Sequence, residues 1–377
     1  MRKFCWRRFL LPSFILSIIS ISFLIVTTIY HDKQKQFVSP LYDIQSSCLD
    51  SSNTSSNKIS TIPSNYLVIP YREFALRTSI ACRAFKLDNP SKDLNNFHPK
   101  YSKYLHGPFP YVIPHTNITF DDIEHFYTKI LVNKKSNRVP IETSYAKNIT
   151  FENIPYKFHD GMWYPTGVIS TQRTAILVPL QGRQYNAKAF LFNMHAFLRR
   201  QQLTYIILLI EQVLPGGTQF NKGRLFNTAV RYLQKQTINI TCLILHDVDL
   251  IPEDDNNFYT CETRYPKHTT SRVRELGSTR GYIRYYEFLI GGVLLLSFDM
   301  YKTLNGFSNL YWGWGGEDDD LALRLIQRRM CVVRPNYELA IYIGLPHARG
   351  PRNSARFDLL TWTTLRLDSD GYAQIDH

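Results

Sequence analysis

Tyr311-Trp-Gly-Trp-Gly-Gly-Glu-Asp-Asp-Asp320 sets two tryptophans and three glycines against four consecutive carboxylates. Glycines let a backbone bend and move, and each indole offers a flat apolar surface with one N–H donor. The carboxylates open a helical pattern over 321–330, with Ala322, Leu325, Ile326 and Met330 on one face. A helix N-terminus tolerates negative charge. Four adjacent acids still repel, and partial burial would lift one of them toward neutral pH. Aromatic platforms beside such a carboxylate suit a sugar hydroxyl that must be held and deprotonated. A plain helix cap is the bland alternative; the glycine–tryptophan alternation argues for a functional loop.

A second carboxylate pair lies in His246-Asp247-Val248-Asp249-Leu250, at the end of the apolar run 242–245. Residues i and i+2 of an extended segment point the same way, so Asp247 and Asp249 can face one pocket. Such a pair suits a hard divalent cation, Mn²⁺ or Mg²⁺, bridging a diphosphate; two ordinary turn aspartates would look the same. Lys222 and Arg224 open a helical pattern, where cations make either a phosphate site or surface charge. Phe220 can stack on a base or join the core. No G-x-G-x-x-G and no Walker loop is present, so dinucleotide and kinase readings lack support.

The elements that must position these groups are legible as apolar runs. Strands are expected at 174–179, 205–210 and 242–245, with helices at 186–200 and 221–236 between them. Strand–helix alternation with continuously apolar strands predicts an α/β fold around a parallel sheet covered on both faces. Ligands then bind beyond the carboxyl ends of the strands. Residues 101–172 hold aromatics but little periodicity and read as an irregular entry to the domain.

The N-terminal third reads differently. Residues 9–30 form 22 uncharged positions, preceded by Arg2, Lys3, Arg7 and Arg8. That length spans a bilayer, and it exceeds a cleaved signal's apolar region. The basic flank predicts a cytoplasmic tail at 1–8 and a lumenal bulk. Residues 31–100, rich in Ser, Asn, Lys and Thr, read as a stem. Asn53, Asn117, Asn148 and Asn239 sit in glycosylation sequons. Cys242 and Cys261 can pair in an oxidising lumen, and Cys48 and Cys82 can pair with each other or across a homodimer. Cys331 reads as a buried thiol. The net charge of +13 is scattered, without a nucleic-acid motif. It fits attraction to an anionic nucleotide diphosphate better than to nucleic acid.

Pro179-Leu-Gln-Gly-Arg183, Phe220-Asn221, Asp247-Val-Asp249-Leu-Ile-Pro252, Gly291-Gly292, Asn305-Gly-Phe307, the Tyr311–Asp320 block, Arg334-Pro-Asn336 and Arg356-Phe-Asp358 occur in that order. Together they resemble the β-1,4-galactosyltransferases, type II enzymes of the Golgi membrane. The resemblance implies a GT-A fold, Rossmann-like with a mainly parallel sheet, over 101–377. It implies a UDP-sugar-dependent hexosyltransferase that transfers with inversion to O4 of a terminal N-acetylglucosamine. In that pattern Asp249 and His347 hold manganese or another divalent cation, and Asp318 is the base. Tyr286, Tyr311, Trp314, Glu317, Asp319, Arg356 and Phe357 hold the GlcNAc-terminated acceptor. Pro179, Arg183, Phe220, Arg224, Asp247, Val248, Leu289, Gly292 and Trp314 hold the donor, with Trp314 on a mobile loop. Cys242 and Cys261 match a family disulfide.

Several positions depart from the family; at the strand end Pro179-Leu-Gln-Gly-Arg183 replaces Pro-Phe-Arg-Asn-Arg and loses one cation. Leu289 stands where galactosyltransferases carry a tyrosine that crowds the donor's 2-substituent. An aliphatic residue leaves room for an N-acetyl group, as in related invertebrate N-acetylgalactosaminyltransferases. UDP-GalNAc is therefore the expected donor, with UDP-Gal the alternative. Gly344 replaces the methionine that usually joins the metal, and Val168 replaces a frequent cysteine. A weak or inactive glycan-binding homologue is the remaining alternative.

Overall fold

The computed structural model describes Lys100, residues 102–108, parts of 119–127, and 138–375 apart from 144–145, 153, 171, 214–216, 285 and 287–288. The expected tail, the 9–30 span, the stem to residue 99, Cys48, Cys82, Asn53 and Asn117 lie outside the described residues. Among the described residues no helix is long and apolar enough to cross a membrane.

The stretch read as irregular holds two hairpins. Strands β1 (Arg138–Thr143) and β2 (Ala146–Glu152), the latter carrying Asn148, pair antiparallel. Strands β3 (Tyr156–His159) and β4 (Met162–Pro165) do the same. Their two-residue turn places Asp160 at φ 48° and Gly161 at φ 78°. Asp-Gly meets the double positive-φ demand of a tight hairpin turn.

The expected strand–helix alternation follows: β5 (Arg173–Leu180), α1 (Gln184–Arg200), β6 (Thr204–Glu211), α2 (Lys222–Gln234) and β7 (Cys242–His246). Side chains alternate along these strands, so each strand feeds two cores. Ile176, Val178, Tyr205, Ile207 and Ile244 pack with Phe190, Met194 and Phe197 of α1. Ala175, Leu177, Ile206, Leu243 and Leu245 pack with Phe226, Ala229 and Val230 of α2 on the opposite face.

The rest of the chain adds β8 (Leu250–Pro252), β9 (Lys267–His268), β10 (Arg272–Glu275), β11 (Ile283–Arg284), β12 (Val293–Ser297), α3 (Phe298–Thr303), α4 (Glu317–Gln327), β13 (Ile341–Gly344), α5 (Arg356–Thr361) and α6 (Thr363–Arg366). The main sheet has seven strands in the order β3-β4-β6-β5-β7-β12-β9. The sheet is mixed, not mainly parallel as expected. Only β5–β6 and β5–β7 pair in parallel; β3–β4, β4–β6, β7–β12 and β12–β9 are antiparallel. Helical crossovers join only β5, β6 and β7. The flanking strands arrive by hairpin and loop, which leave their direction unconstrained. A smaller sheet, β11-β10-β13-β8, stands beside it.

Cys242 and Cys261 form a disulfide across 19 residues, tying the start of β7 to the loop after β8. Closing a loop of that size removes about 3 kcal/mol of unfolded-chain entropy. Cys331 is half-buried and outside any disulfide.

Candidate active site

The carboxyl ends of β5 and β7 and the N-termini of α2 and α4 meet at one place. Asn221 caps α2 by accepting from the Arg224 N–H at 2.9 Å, and its amide donates to the Asn309 carbonyl at 2.9 Å. Gly223 lets this first turn press against the 307–308 backbone: a Cβ there would lie 2.6 Å from the Ser308 oxygen. The packing carries Lys222 into the cleft.

Lys222 is the hub. Its ammonium lies 2.9 Å from Asp318 Oδ2, 2.9 Å from Glu317 Oε1 and 3.5 Å from Asp247 Oδ1. Burial alone would push its pKa down, but the three carboxylates outweigh that and hold it well above the usual lysine value. Asp318 keeps 21% of its side chain exposed. Burial, reinforced by Glu317 and Asp247 and opposed by Lys222, lifts it to about 8. Asp247 is also raised by burial, against the pull of Lys222. Gly291 closes the floor, where a Cβ would lie 2.2 Å from Asp318 Oδ2. Gly292, at φ 88°, is similarly hemmed by Thr270 and Leu250.

Asp249 and His347 meet beside this cluster, with Nε2 2.8 Å from Oδ2. Arg183 Nη1 is 3.8 Å from the other carboxylate oxygen. Against the cost of burial, the His347 bond and Arg183 hold the Asp249 pKa low, and the same bond raises that of His347. His347 Nδ1 lies 2.8 Å from the Ala348 carbonyl. A carbonyl only accepts, so Nδ1 carries a proton and Nε2 is the nitrogen left for a metal. One carboxylate and one such imidazole suit a divalent cation such as Mn²⁺. Gly344 offers no ligand, and among the described residues no group of three or more acid, His or Cys side chains is placed to hold a metal ion. His246 is not part of the set. It is buried against Asp247 O and Tyr259, and burial lowers its pKa to about 4.

The acidic run divides. Glu317 and Asp318 face Lys222, while Asp319 accepts from the Tyr286 hydroxyl at 2.8 Å. Asp320 turns into the core, where Arg324 Nε (2.6 Å), Arg366 Nη2 (3.0 Å), Thr363 Oγ1 (2.7 Å) and Tyr311 OH (3.0 Å) donate to it. Tyr311, expected among the acceptor contacts, is 1% exposed and committed to Asp320. It supports the helix start and cannot reach a ligand.

The loop before α4 has left-handed glycines at 313, 315 and 316. Trp314 is 61% exposed, and its backbone pairs with the neighbouring segment: its N–H donates to Pro351 O at 2.8 Å, and Asn353 N–H donates to its carbonyl at 3.0 Å. Arg356 lies across Gly315 and Gly316, where added Cβ atoms would meet it at 3.2 and 3.1 Å. Its guanidinium covers the exposed Phe357 ring at 4.5 Å.

Of the residues expected to meet the donor, Phe220 and Leu289 are half-buried, and Pro179 is buried near the end of β5. The Val248 side chain is buried, so only its backbone can meet a ligand. Arg224 is likewise buried, 5.9 Å from the Trp312 ring, and does not line the cleft as expected. Lys222 and Gly291, neither singled out as a partner of Asp318 by its surroundings in sequence, lie directly against it. Their roles depend on contacts 96 and 27 residues away in sequence, which no local spacing signals.

Two family models match the chain: the N-terminal region of glycosyl transferase group 7 over residues 129–262, and the N-terminal domain of galactosyltransferase over 272–348. The first span holds Arg183, Lys222, Asp247 and Asp249; the second holds Gly291, Asp318 and His347. The chain belongs to the β-1,4-galactosyltransferase family. It is 36% identical to β-1,4-galactosyltransferase 4 of Cricetulus griseus over 239 residues, which cover 60% of this chain and 67% of that protein. It is 40% identical to human β-1,4-galactosyltransferase 3 over 215 residues, 56% of this chain and 53% of that one. The chain thus spans about half the length of the galactosyltransferase 3 relatives. A solved catalytic domain of Drosophila β1,4-galactosyltransferase 7 with xylobiose is 27% identical, covers 54% of this chain and 84% of that one, and superposes with a TM-score of 0.45.

Proposed function

We propose that the protein is a metal-dependent, inverting β-1,4-hexosyltransferase of GT-A architecture, using a UDP-sugar and a GlcNAc-terminated acceptor. The observation that carries this reading is the meeting at Lys222 of the strand-end carboxylate Asp247 with the helix-start carboxylates Glu317 and Asp318. It joins a diphosphate-and-metal half to a hydroxyl-activating half. Membership of the galactosyltransferase family supports it.

The reaction is a single displacement. Acceptor O4 attacks the anomeric carbon from the face opposite UDP, the bond to the diphosphate breaks, and Asp318 takes the hydroxyl proton. A carboxylate lifted to about 8 is a stronger base than an ordinary one and suits that task. Asp319, Tyr286, Arg356 and Phe357 form the acceptor rim. Arg183 and Lys222 offer cations to the departing nucleotide. A divalent ion held by Asp249 and His347 would supply neutralisation of the leaving diphosphate.

The donor is proposed to be UDP-GalNAc. Leu289 is half-buried with its carbonyl fixed by Arg334 Nη2 at 3.0 Å, and its side chain brings no hydroxyl and less bulk than tyrosine. The second reading, UDP-Gal, is favoured by the galactosyltransferase names of the relatives. The proposed setting is the Golgi lumen behind a type II anchor, consistent with a disulfide and with the exposed sequon Asn239.

One experiment tests the set. The purified protein is incubated with a GlcNAc-terminated acceptor and each UDP-sugar, with manganese or with EDTA. The expectation is EDTA-sensitive transfer, faster from UDP-GalNAc. Faster transfer from UDP-Gal reverses the donor assignment, and no transfer from any donor leaves a glycan-binding protein.

A further inference from the structure

The outward face of β10 and β11 carries cations and aromatics that the transfer chemistry does not use. Arg272 and Arg284 stand directly opposite each other in the antiparallel register. Both side chains therefore leave the same face, and Arg274, two residues along, shares it. Val273 between them is buried on the other side. Like charges facing each other across a ladder are destabilising, and the surroundings neutralise only one of the three. Glu253 pairs with Arg274 at 2.5 Å and accepts from the Tyr282 hydroxyl at 2.8 Å. Among the described residues no carboxylate pairs with Arg272 or Arg284.

Arg272 is instead clamped by rings. Its guanidinium lies 5.1 Å from the Tyr337 ring centroid and 5.5 Å from that of Tyr282, and Nε donates to the Tyr337 carbonyl at 3.1 Å. The clamp uses only Nε, so both terminal nitrogens keep their N–H donors. A guanidinium held in place by two exposed tyrosines is pre-oriented for bidentate recognition of an oxyanion. Arg284 is exposed beside it. This face runs toward the acceptor rim: Tyr286, two residues beyond Arg284, donates to Asp319. Two residues of chain span at most about 7 Å, so Arg284 lies within roughly one sugar of Tyr286.

We propose that Arg272 and Arg284 form an oxyanion subsite for the acceptor, receiving a carboxylate or sulfate on the sugar next to the terminal GlcNAc. The inference rests on the acceptor reading of Asp318 and Asp319. The test is calorimetric binding of GlcNAc-terminated disaccharides to the full chain with UDP and manganese. The second sugar is neutral, a uronic acid, or sulfated, and inorganic sulfate is titrated alone. Both charged disaccharides are expected to bind about tenfold more tightly than the neutral one at low salt. The advantage should shrink as ionic strength rises. Arg284→Gln, on an exposed strand, and Arg272→Lys, which keeps the charge but loses the fork, should each remove most of the advantage and leave neutral binding unchanged. Equal binding of neutral and charged disaccharides overturns the proposal, as does a preference that survives both substitutions. Inorganic sulfate binding as tightly as the charged disaccharides removes the acceptor from it. Charge-dependent binding without transfer supports the subsite and counts only against the transferase reading. No binding of any disaccharide overturns both.

Discussion

The Lys222 ammonium lies 2.9 Å from the Asp318 carboxylate although 96 residues separate them in the chain. The same ammonium reaches Asp247 at 3.5 Å. A change of charge on the nucleotide side is thereby felt by the group assigned to take the acceptor's proton. Coulomb coupling at such separations survives physiological salt because the pair is largely shielded from solvent.

The first prediction concerns pH. With the Asp318 pKa at about 8, the ionised base is the minority form at neutral pH. In the donor-free enzyme kcat/KM should climb about tenfold per pH unit below 8 and level above it. The stability sign runs the other way. A carboxylate whose folded pKa is raised binds a proton that the unfolded chain has released, so stability falls as pH rises from about 4 to 8. Asp318→Asn should therefore lower turnover by about 10²–10⁴-fold, while its Tm gain over the parent is larger at pH 8 than at pH 5. A substitution that leaves turnover near normal removes Asp318 from the base role.

Lys222→Met removes the cation from three carboxylates. Mutual repulsion then drives Asp318 further up, so the rising limb of the pH profile should move to higher pH, with about a tenfold loss per unit of movement at pH 7. An unmoved limb in the pH–rate profile would show that the ammonium does not set the basicity of Asp318.

Gly291→Ala places a methyl group 2.2 Å from Asp318 Oδ2 unless something shifts. Displacing a reacting group by about 1 Å can cost about a hundredfold in rate. Turnover should drop by that order with UDP affinity little changed. UDP titration beside steady-state kinetics separates the two.

Asp320 belongs to a different economy from its three neighbours. Asp320→Ala removes one of the two buried carboxylates that Arg324 and Arg366 share, leaving both arginines on Asp370 alone. Breaking such a buried pair destabilises by about 3–5 kcal/mol. Chemical denaturation should show that loss, while surviving folded enzyme keeps its KM. Burial notwithstanding, the two arginines depress the Asp320 pKa. Its stabilising contribution is present above the ordinary carboxylate pKa and disappears as acid carries the pH through the lowered value.

The parts legible in sequence were those encoded locally. The apolar runs at 174–179, 205–210 and 242–245 and the amphipathic helices between them lie within a few residues of β5, β6, β7, α1 and α2, because burial on both faces writes itself into consecutive side chains. Strand direction does not: Val293–Ser297 is as apolar as a parallel strand but runs antiparallel to β7. Asp160-Gly161 was a hairpin signal in plain sight, hidden by the aromatic composition around it. Family resemblance assigns roles to Glu317, Asp318 and Asp319 and none to Asp320, and a helix turns by about 100° per residue. That rotation carries Asp320 away from the cleft to its i+4 partner Arg324. The convergence of Lys222, Gly291 and Asp318 is set by tertiary packing, and nothing near any of them in sequence announces it.

The ladder between Trp314 and the 351–353 segment makes the tryptophan loop a two-ply flap. Gly313 N–H also donates to the Phe220 carbonyl at 2.8 Å, stitching the flap to the approach of α2. Any excursion of the indole must either break these stitches or drag the second ply along. The segment before α5, which carries Arg356 and Phe357, would then travel with it. The indole, the approach to α2 and the Arg356–Phe357 pair are thereby mechanically one unit, and a displacement at any of them would be transmitted to the other two.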